Sequence, residues 1–326
     1  MIAPTYRLRL DGQDITPQVN ARLISLSLEE ARGDTADQLD LVLSDHDGAL
    51  ALPRKGVKIQ LAIGFVGQDL VDKGQFVVDE VEHSGAPDTV TIRARSADLR
   101  DSLRVRRDQS WHATTLGDII KTIAGRHRID HRVAPALTSV AIAHIDQTNE
   151  SDLNFVTRLA KRHDAVATVK AGSLLFLPIN GSKTASGTRL PTIAITRASG
   201  DSHHFTQSDR DAYTGVRAYW HDGKKANRTG VVVGTKVHPK TLKDTYASEA
   251  DALSAAKAEW QRIQRGLATL KLTLAIGVPS LVPQSPVSVQ GFKGAIDGTQ
   301  WLATRVTHKL DDSGLTTEVE CETGLG

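Results

Sequence analysis

The side chains best equipped for chemistry in this 326-residue chain are its 12 histidines, 38 carboxylates and single cysteine. His127 and His131 stand four apart, which on a helix would place both imidazoles on one face. The zinc-hydrolase arrangement needs a Glu directly after the first His, and Arg128 occupies that place. His203 and His204 are adjacent and would leave a strand on opposite faces. Both pairs read as solvated or packed. Asp45-His46-Asp47-Gly48 opens like a calcium loop but lacks the later oxygen ligands and the closing Glu, so it reads as a β-turn. Glu29-Glu30 and Asp311-Asp312 are sequence neighbours that a strand would send apart, whereas acid–base catalysis needs convergence. Glu318, Glu320 and Glu322 share one strand face, which reads as a solvated face or a guard against edge pairing. There is no glycine-rich phosphate loop, nucleophile elbow or dinucleotide fingerprint. The expectation is a non-enzyme with no catalytic, cofactor-binding or metal residue and no cofactor.

Composition narrows the class further. A formal net charge of +2 gives no general electrostatic case for nucleic acid or anionic lipid. Aromatic residues are only 4% of a chain that is 40% hydrophobic, so the core must be mainly aliphatic. Cys321, being alone, excludes an intrachain disulfide and a cysteine zinc site, and fits a reducing compartment. No apolar run reaches the length of a membrane span, and the first residues lack the regions of a signal peptide. Neither membrane insertion nor export by the usual route is expected.

The length suggests two or three domains. From Tyr6 to about residue 97 the apolar period is two: Tyr6, Leu8 and Leu10; Leu39, Leu41 and Leu43; Val57, Ile59, Leu61 and Ile63; Val90, Ile92 and Ala94. Asp11-Gly12 and Asp45 to Gly48 supply turns between them. Six or seven strands with no convincing helix predict a sandwich or barrel over residues 1–108. Residues 98–108 are charge-rich, with Arg100, Arg104, Arg106 and Arg107. Lacking interleaved aromatics, they read as a solvated connection or subunit contact.

Residues 109–185 form a predicted α+β insertion. Thr114 or Thr115 caps a helix striped by Leu116, Ile119, Ile120 and Ile123 and ending near Gly125. A second helix starts at Ser151 with Leu153, Val156, Leu159 and Ala160. An extended segment, 129–145, lies between them, and a hairpin, 165–177, turns at Ala171-Gly172 after them. Residues 180–186 read as a loop.

Residues 186–326 return to strands at 213–220 and 230–237 around a polar turn, 221–228. A long helix follows near 248–265, capped by Ser248 with Asp251, striped by Leu253, Ala256, Trp260 and Ile263, and closed by a left-handed Gly266. Leu270, Leu272 and Leu274 then alternate with Lys271 and Thr273. Trp301, Ala303, Val306 and Leu310 share one strand face only if a bulge intervenes. The predicted fold class is mainly β (α+β): two barrel-like domains, an α+β insertion and one long helix.

Two groups of residues carry a family resemblance. The first runs through Glu259-Trp260, Arg265-Gly-x-Ala-Thr-Leu270, Pro279-x-Leu-x-Pro283, Gly291-Phe-Lys293, Ile296-Asp297, Trp301-Leu302 and Val306-Thr-His308. The second is Gln147-x-x-Glu150-Ser-Asp-Leu-x-Phe155-x-x-Arg158-Leu-Ala. Together they resemble the late control protein D family of contractile-tailed phages, the baseplate hubs. The second group is also similar to the hub portion of type VI secretion spike proteins.

The resemblance implies tail-tube-like barrels and a homotrimeric ring adapting the six-fold tail tube to the three-fold spike. Implied partners are the central spike protein, the tail tube protein, other baseplate proteins and, in the lumen, the tape-measure protein. DNA would pass without sequence-specific contact. The implied location is the virion tail baseplate, assembled in the host cytoplasm, in a phage or a phage-derived bacteriocin. Because the sequence stops at Gly326, the spike is expected to be a separate polypeptide. The chain departs from the family at His163-Asp164, where an aromatic and Gly are commoner, which puts the turn there in question.

Residues 114–132 are also similar to a single peptidoglycan-binding lysin motif. That makes wall binding by residues 110–180 one alternative and a tail-associated cell-wall hydrolase another. The hydrolase is opposed by the lack of any convergent catalytic set.

Overall fold

The structure, a computed structural model, describes residues 3–33, 35–96, 101–170, 172–179, 188–207, 213–222 and 227–324. Arg100, Ala171, the 180–186 loop and the centre of the 221–228 turn lie outside the described residues.

The first region contains β1 (Pro4–Leu10), β2 (Gln13–Asp14), α1 (Thr16–Asn20), β3 (Leu23–Ala31), β4 (Gln38–Ser44), β5 (Lys58–Phe65), β6 (Val71–Ser84) and β7 (Thr89–Ser96). The period-two alternation of the sequence is what builds it. Leu26, Leu28, Leu39, Leu41, Ile59, Leu61 and Ile63 all point inward and are buried, each contributing about 1.5–3 kcal/mol relative to exposure. The strands pair in the order β3-β4-β7-β6-β5-β1-β2. One core takes side chains from β3 at one end of that order and β1 at the other, so the sheet curls around its own inner face. Asp11 (φ 46°) and Gly12 (φ 89°) make the left-handed pair that a tight hairpin needs between β1 and β2. No apolar period marks α1, a five-residue helix with Pro17 in its first turn that buries only Val19.

The middle region comprises β8 (Arg106–Thr115), α2 (Leu116–Arg126), β9 (Asp130–Val133), α3 (Pro135–Thr138), β10 (Ala141–Ser151), α4 (Asp152–Arg162), β11 (Ala165–Lys170) and β12 (Ser173–Pro178). Thr115 caps α2 by accepting from the Asp118 N–H, and Ser151 caps α4 by accepting from Asn154 N–H. The stripes Leu116, Ile119, Ile120, Ile123 and Phe155, Val156, Leu159, Ala160 enter one core with Trp111, Leu174 and Phe176. Residues 129–145 are not one extended segment: β9, α3 and the start of β10 divide them, because Pro135 suits a helical first turn but not a strand. The described part of the charge-rich 98–108 stretch, from residue 101, runs into β8, whose partner is β10.

The third region holds β13 (Ile193–Thr196), β14 (Gly200–Gln207), β15 (Gly215–Asp222), β16 (Asn227–Gly234), β17 (Pro239–Tyr246), α5 (Glu249–Arg265), β18 (Ala268–Leu274), β19 (Pro286–Gln290), α6 (Gly294–Asp297), β20 (Trp301–Asp311) and β21 (Gly314–Thr323). The register of β20 against β21 shifts between Ala303 and Arg305. That bulge lets Trp301, Ala303, Val306 and Leu310 all be buried. β20 pairs on its other side with β3, from Arg305 opposite Ala31 to Leu310 opposite Leu26. The two halves are thereby strands of one 13-stranded sheet. Among the described residues no further pairing closes either half on itself. Leu310 and Leu315 complete the core of the first half.

Strands β15, β16 and β17 leave that sheet and form a separate three-stranded layer under α5. Ala252 and Ala256 pack on Val216 and Ala218, with Trp260 and Ile263 partly buried alongside. The small alanines let the helix approach closely, and Leu253 stays outside this contact. Gly266 ends α5 in the right-handed conformation (φ −79°), not the expected left-handed one. Its N–H still reaches the Arg262 and Ile263 carbonyls, so the last turn simply runs on.

Candidate functional site

Three buried ionic clusters hold the fold together, two of them between regions and one within the middle region. The first sits at the β3–β20 seam. Alternation that buries Leu26 and Leu28 carries the next in-phase residue, Glu30, inward, and that which buries Val306 and Leu310 does the same for His308. Lys73 joins them from β6, beside Gly74 whose φ of 91° and the local bulge re-aim the chain. Lys73 Nζ lies 2.7 Å from Glu30 Oε2, 3.0 Å from His308 Nε2 and 3.4 Å from the Leu281 carbonyl. His308 Nδ1 is 2.9 Å from Thr317 Oγ1. From the middle region Lys170 Nζ reaches Asp37 at 3.2 Å and Glu30 at 3.5 Å.

Burial works against the charge on Glu30, but His308 and the ammonium groups of Lys73 and Lys170 outweigh it and hold the carboxyl at about 2. Burial lowers Lys73 and His308 from their ordinary values, and it raises Asp37. A Glu held so low is no proton donor near neutrality, and its partners satisfy one another. A cleft of ≈ 640 Å³ beside the cluster is lined by Lys58, Gln60, Asp72, Lys73 and Lys170 among others.

The second cluster organises the middle region around Asp152, fully buried at the first turn of α4. It accepts from Arg126 at 2.8 and 2.9 Å and from Gln147 Nε2 at 2.9 Å, lies 2.7 Å from His127 Nε2 and has Arg107 at 3.2 Å. Burial opposes its charge, yet the hydrogen bonds from Gln147, His127 and Arg126 hold its carboxyl below the usual range. Gln147 also donates to the Glu150 carbonyl. Glu150 grips Arg158, whose guanidinium lies 5.1 Å from the Phe155 ring centre, and Phe155 stacks on Trp111. The charged members of the Gln147 to Arg158 motif are thus engaged within the middle region.

The third cluster joins the end of α4 to α5 and β21. The buried Arg265 bonds Asp164 and lies 3.0 Å from Glu322, which also takes Arg32. Arg162 pairs with Asp251 at 2.6 Å, and His163 Nδ1 meets Ser254 Oγ at 3.2 Å. Burial first, then the nearby Arg162 charge, lowers His163 to about 4. Asp164 makes the turn in a left-handed conformation (φ 49°), which Asp tolerates better than most residues. His163-Asp164 thus builds an inter-region contact.

What such an arrangement can do is hold several sheets in fixed register. The family described as "Phage tail baseplate hub (GPD)" matches residues 38–314. The chain belongs to the phage tail baseplate hub family. A "Probable baseplate hub protein" of Escherichia phage P2 is 44% identical over 99% of this chain and 94% of its own. In fold, the hub resembles the 43 kDa tail protein of prophage MuSo2 from Shewanella oneidensis, with TM-score 0.71 and 16% identity over 98% of both chains. It also resembles the E. coli c3393 protein, described as a component of the type VI secretion system and as similar to T4 tail proteins gp27 and gp5. There the TM-score is 0.56, at 16% identity over 92% of this chain and 73% of that one.

The hub's structure disperses the residues singled out in the sequence. His127 is buried on Asp152 and Ser102, while His131 is exposed on β9. His203 packs edge-on against Phe292 and His204 contacts Thr206. Asp45 to Gly48 is a turn closed by Gly48 N–H on the Asp45 carbonyl, with Asp47 gripped by Arg22. Glu29 faces Arg305 while Glu30 turns inward, and Asp311 caps the turn at Ser313. Glu318 and Glu320 do share a face, but their strand lies between β18 and β20 and is no edge; Lys271 bridges them at 2.6 and 3.6 Å. Burial pushes the Cys321 thiol up to about 12, which leaves it unreactive. Of the four clustered arginines, Arg107 enters the Asp152 cluster, while Arg104 and Arg106 are exposed. The stripe of the lysin-like segment is spent inside the middle region's core.

Missed from sequence were Lys73, Lys170 and the joint role of Glu30 and His308. The in-phase positions of Glu30 after Leu28 and of His308 between Val306 and Leu310 were the available signal.

Proposed function

We propose that this chain is the central hub of a contractile tail baseplate, three copies forming a ring that adapts a six-fold tail tube to a three-fold spike. The observation that carries the reading is the β3–β20 ladder, which fuses two strand-built cores of one chain edge to edge. Three such chains offer six cores on a three-fold frame, the count that a six-fold ring of tube subunits requires. The relative from phage P2, matched along nearly its whole length, supports the same reading.

The role is structural. Binding comes from large obligate interfaces with the neighbouring copies, the spike, the tube and other baseplate proteins. The tape-measure protein and then DNA pass through the lumen without sequence-specific contact. Assembly takes place in the host cytoplasm and the product resides in the virion baseplate.

Light scattering after size exclusion, on the chain alone and with its spike protein, tests this. A mass near three times 35.2 kDa for the chain alone, or that mass plus the bound spike in the mixture, is expected. A monomer in both that sediments with purified cell walls overturns the proposal in favour of wall binding.

A further inference from the structure

The outward face of the β8–β10 ladder brings together His112 and His144, residues 32 apart in sequence that are direct cross-strand partners. Their Nδ1 atoms lie 3.0 Å apart, and the ring centres are 4.6 Å apart at an interplanar angle of 22°. The other nitrogen of His144, Nε2, is 3.1 Å from Asp146 Oδ2. Asp146 is itself fixed by Ser110 Oγ at 2.6 Å from the facing strand.

This wiring sets the tautomer. A carboxylate on Nε2 keeps the proton there and leaves the Nδ1 lone pair of His144 directed at His112, the arrangement that outer carboxylates impose on metal-binding imidazoles. With no ion between the rings, the two Nδ1 atoms stand 3.0 Å apart and can share a single proton. A cation that displaces this one proton gains both nitrogens. Two nitrogens at about 2.0–2.1 Å from a tetrahedral zinc stand about 3.3 Å apart. The observed 3.0 Å is near that spacing, and the two exposed rings, now stacked 22° from parallel, must turn so that both in-plane lone pairs meet at the ion.

We propose that His112 and His144, with Asp146 as the outer carboxylate, form a surface site for a divalent transition cation that prefers imidazole, such as Zn²⁺, Ni²⁺ or Cu²⁺. Among the described residues no group of three or more His, Cys, Asp or Glu converges on one point, so the chain supplies two donors and water completes the sphere. Arg158, which borders the groove beside His144, is neutralised by Glu150 at 2.8 Å and donates to the Asp146 carbonyl. Lys161 and Arg162 border the same groove as His144, which disfavours ions held by charge alone and selects for those held by nitrogen. None of the histidine pairs visible in the sequence has this geometry, because it arises from the register of two strands.

Calorimetric titration of Zn²⁺ into the tag-free full chain at pH 7.5 tests the site, with His112→Ala, His144→Ala, the double variant, Asp146→Asn and, as a control, His203→Ala. One equivalent is expected to bind. Affinity should fall at least tenfold in each of the His112 and His144 variants, about tenfold in Asp146→Asn, and not at all in His203→Ala. Because the altered side chains are exposed, the metal-free melting temperatures should agree, and Zn²⁺ should raise the melting temperature of the unaltered chain but not of the double variant. Absence of binding, or equal binding by the double variant, overturns the proposal.

Discussion

Lys73 Nζ is held by Glu30, His308 and the Leu281 carbonyl, so cutting the side chain back strands a buried carboxylate. Lys73→Met is expected to cost about 3–5 kcal/mol in urea unfolding, and adding Glu30→Leu should return most of it, since an apolar replacement of both partners leaves no orphan charge. A loss below about 1 kcal/mol in the single variant would show that the seam does not depend on this pair.

His163 makes a pH-dependent contribution of a definite sign. Its folded value of about 4 lies below the ordinary 6.5, so the unfolded chain takes up the proton first. The stability from keeping it neutral is complete above pH 6.5 and is lost as pH falls from 6.5 towards 4. Because the ring is partly exposed, roughly 1–3 kcal/mol is at stake. Unfolding free energy measured from pH 7.5 to 4 should fall less steeply in His163→Gln; an unchanged slope would refute this. Glu30, held at about 2 against the usual 4.5, acts in a lower window and loses its contribution as pH falls from 4.5 towards 2.

At the scale of elements, the Asp152 cluster decides whether α4 stays docked against β8 and α2. Asp152→Ala removes one carboxylate from three basic side chains and Gln147. It should destabilise the chain by about 3–5 kcal/mol. Glu150→Gln, whose partner Arg158 is 44% exposed, should cost under about 1 kcal/mol. Thermal melts of the two variants, made side by side, check the contrast; equal losses would mean that the burial of Asp152 is not what matters.

The elements also show which parts of the sequence were legible. Leu270, Leu272 and Leu274 fall where alternation put them, and the bulge demanded by Trp301, Ala303, Val306 and Leu310 lies between Ala303 and Arg305. Strands that the pattern does not mark include β8, β14 and β17, RRDQSWHATT, GDSHHFTQ and PKTLKDTY. Their residues are polar on both faces, so their strand form depends on partner strands contributed from elsewhere in the chain. The site followed the same rule: Gln147 and Asp152 stand in one motif, but the basic partners of Asp152, Arg107 and Arg126, and the partners of Arg265, Asp164 and Glu322, are set by tertiary approach.

At the scale of the molecule, the two halves share a sheet and also a core, since Leu310 and Leu315 fill the first half. A fragment of residues 1–96 therefore lacks both the strand that covers the edge of β3 and part of its own interior. It is expected to aggregate or to fail to fold cooperatively, read by size exclusion and circular dichroism. A monomeric fragment with a sharp melt would show that the first half is self-sufficient.

The ladder between β3 and β20 has one more consequence, a mechanical one. Six consecutive residue pairs, from Arg305 with Ala31 to Leu310 with Leu26, bind the halves along the strand direction. A pull that slides one half past the other along that axis loads all of those hydrogen bonds at once, whereas a pull across it opens them one by one. The joint is stiff against shear and soft against peeling, so a sudden thrust aligned with these strands would pass from one half to the other with little yield.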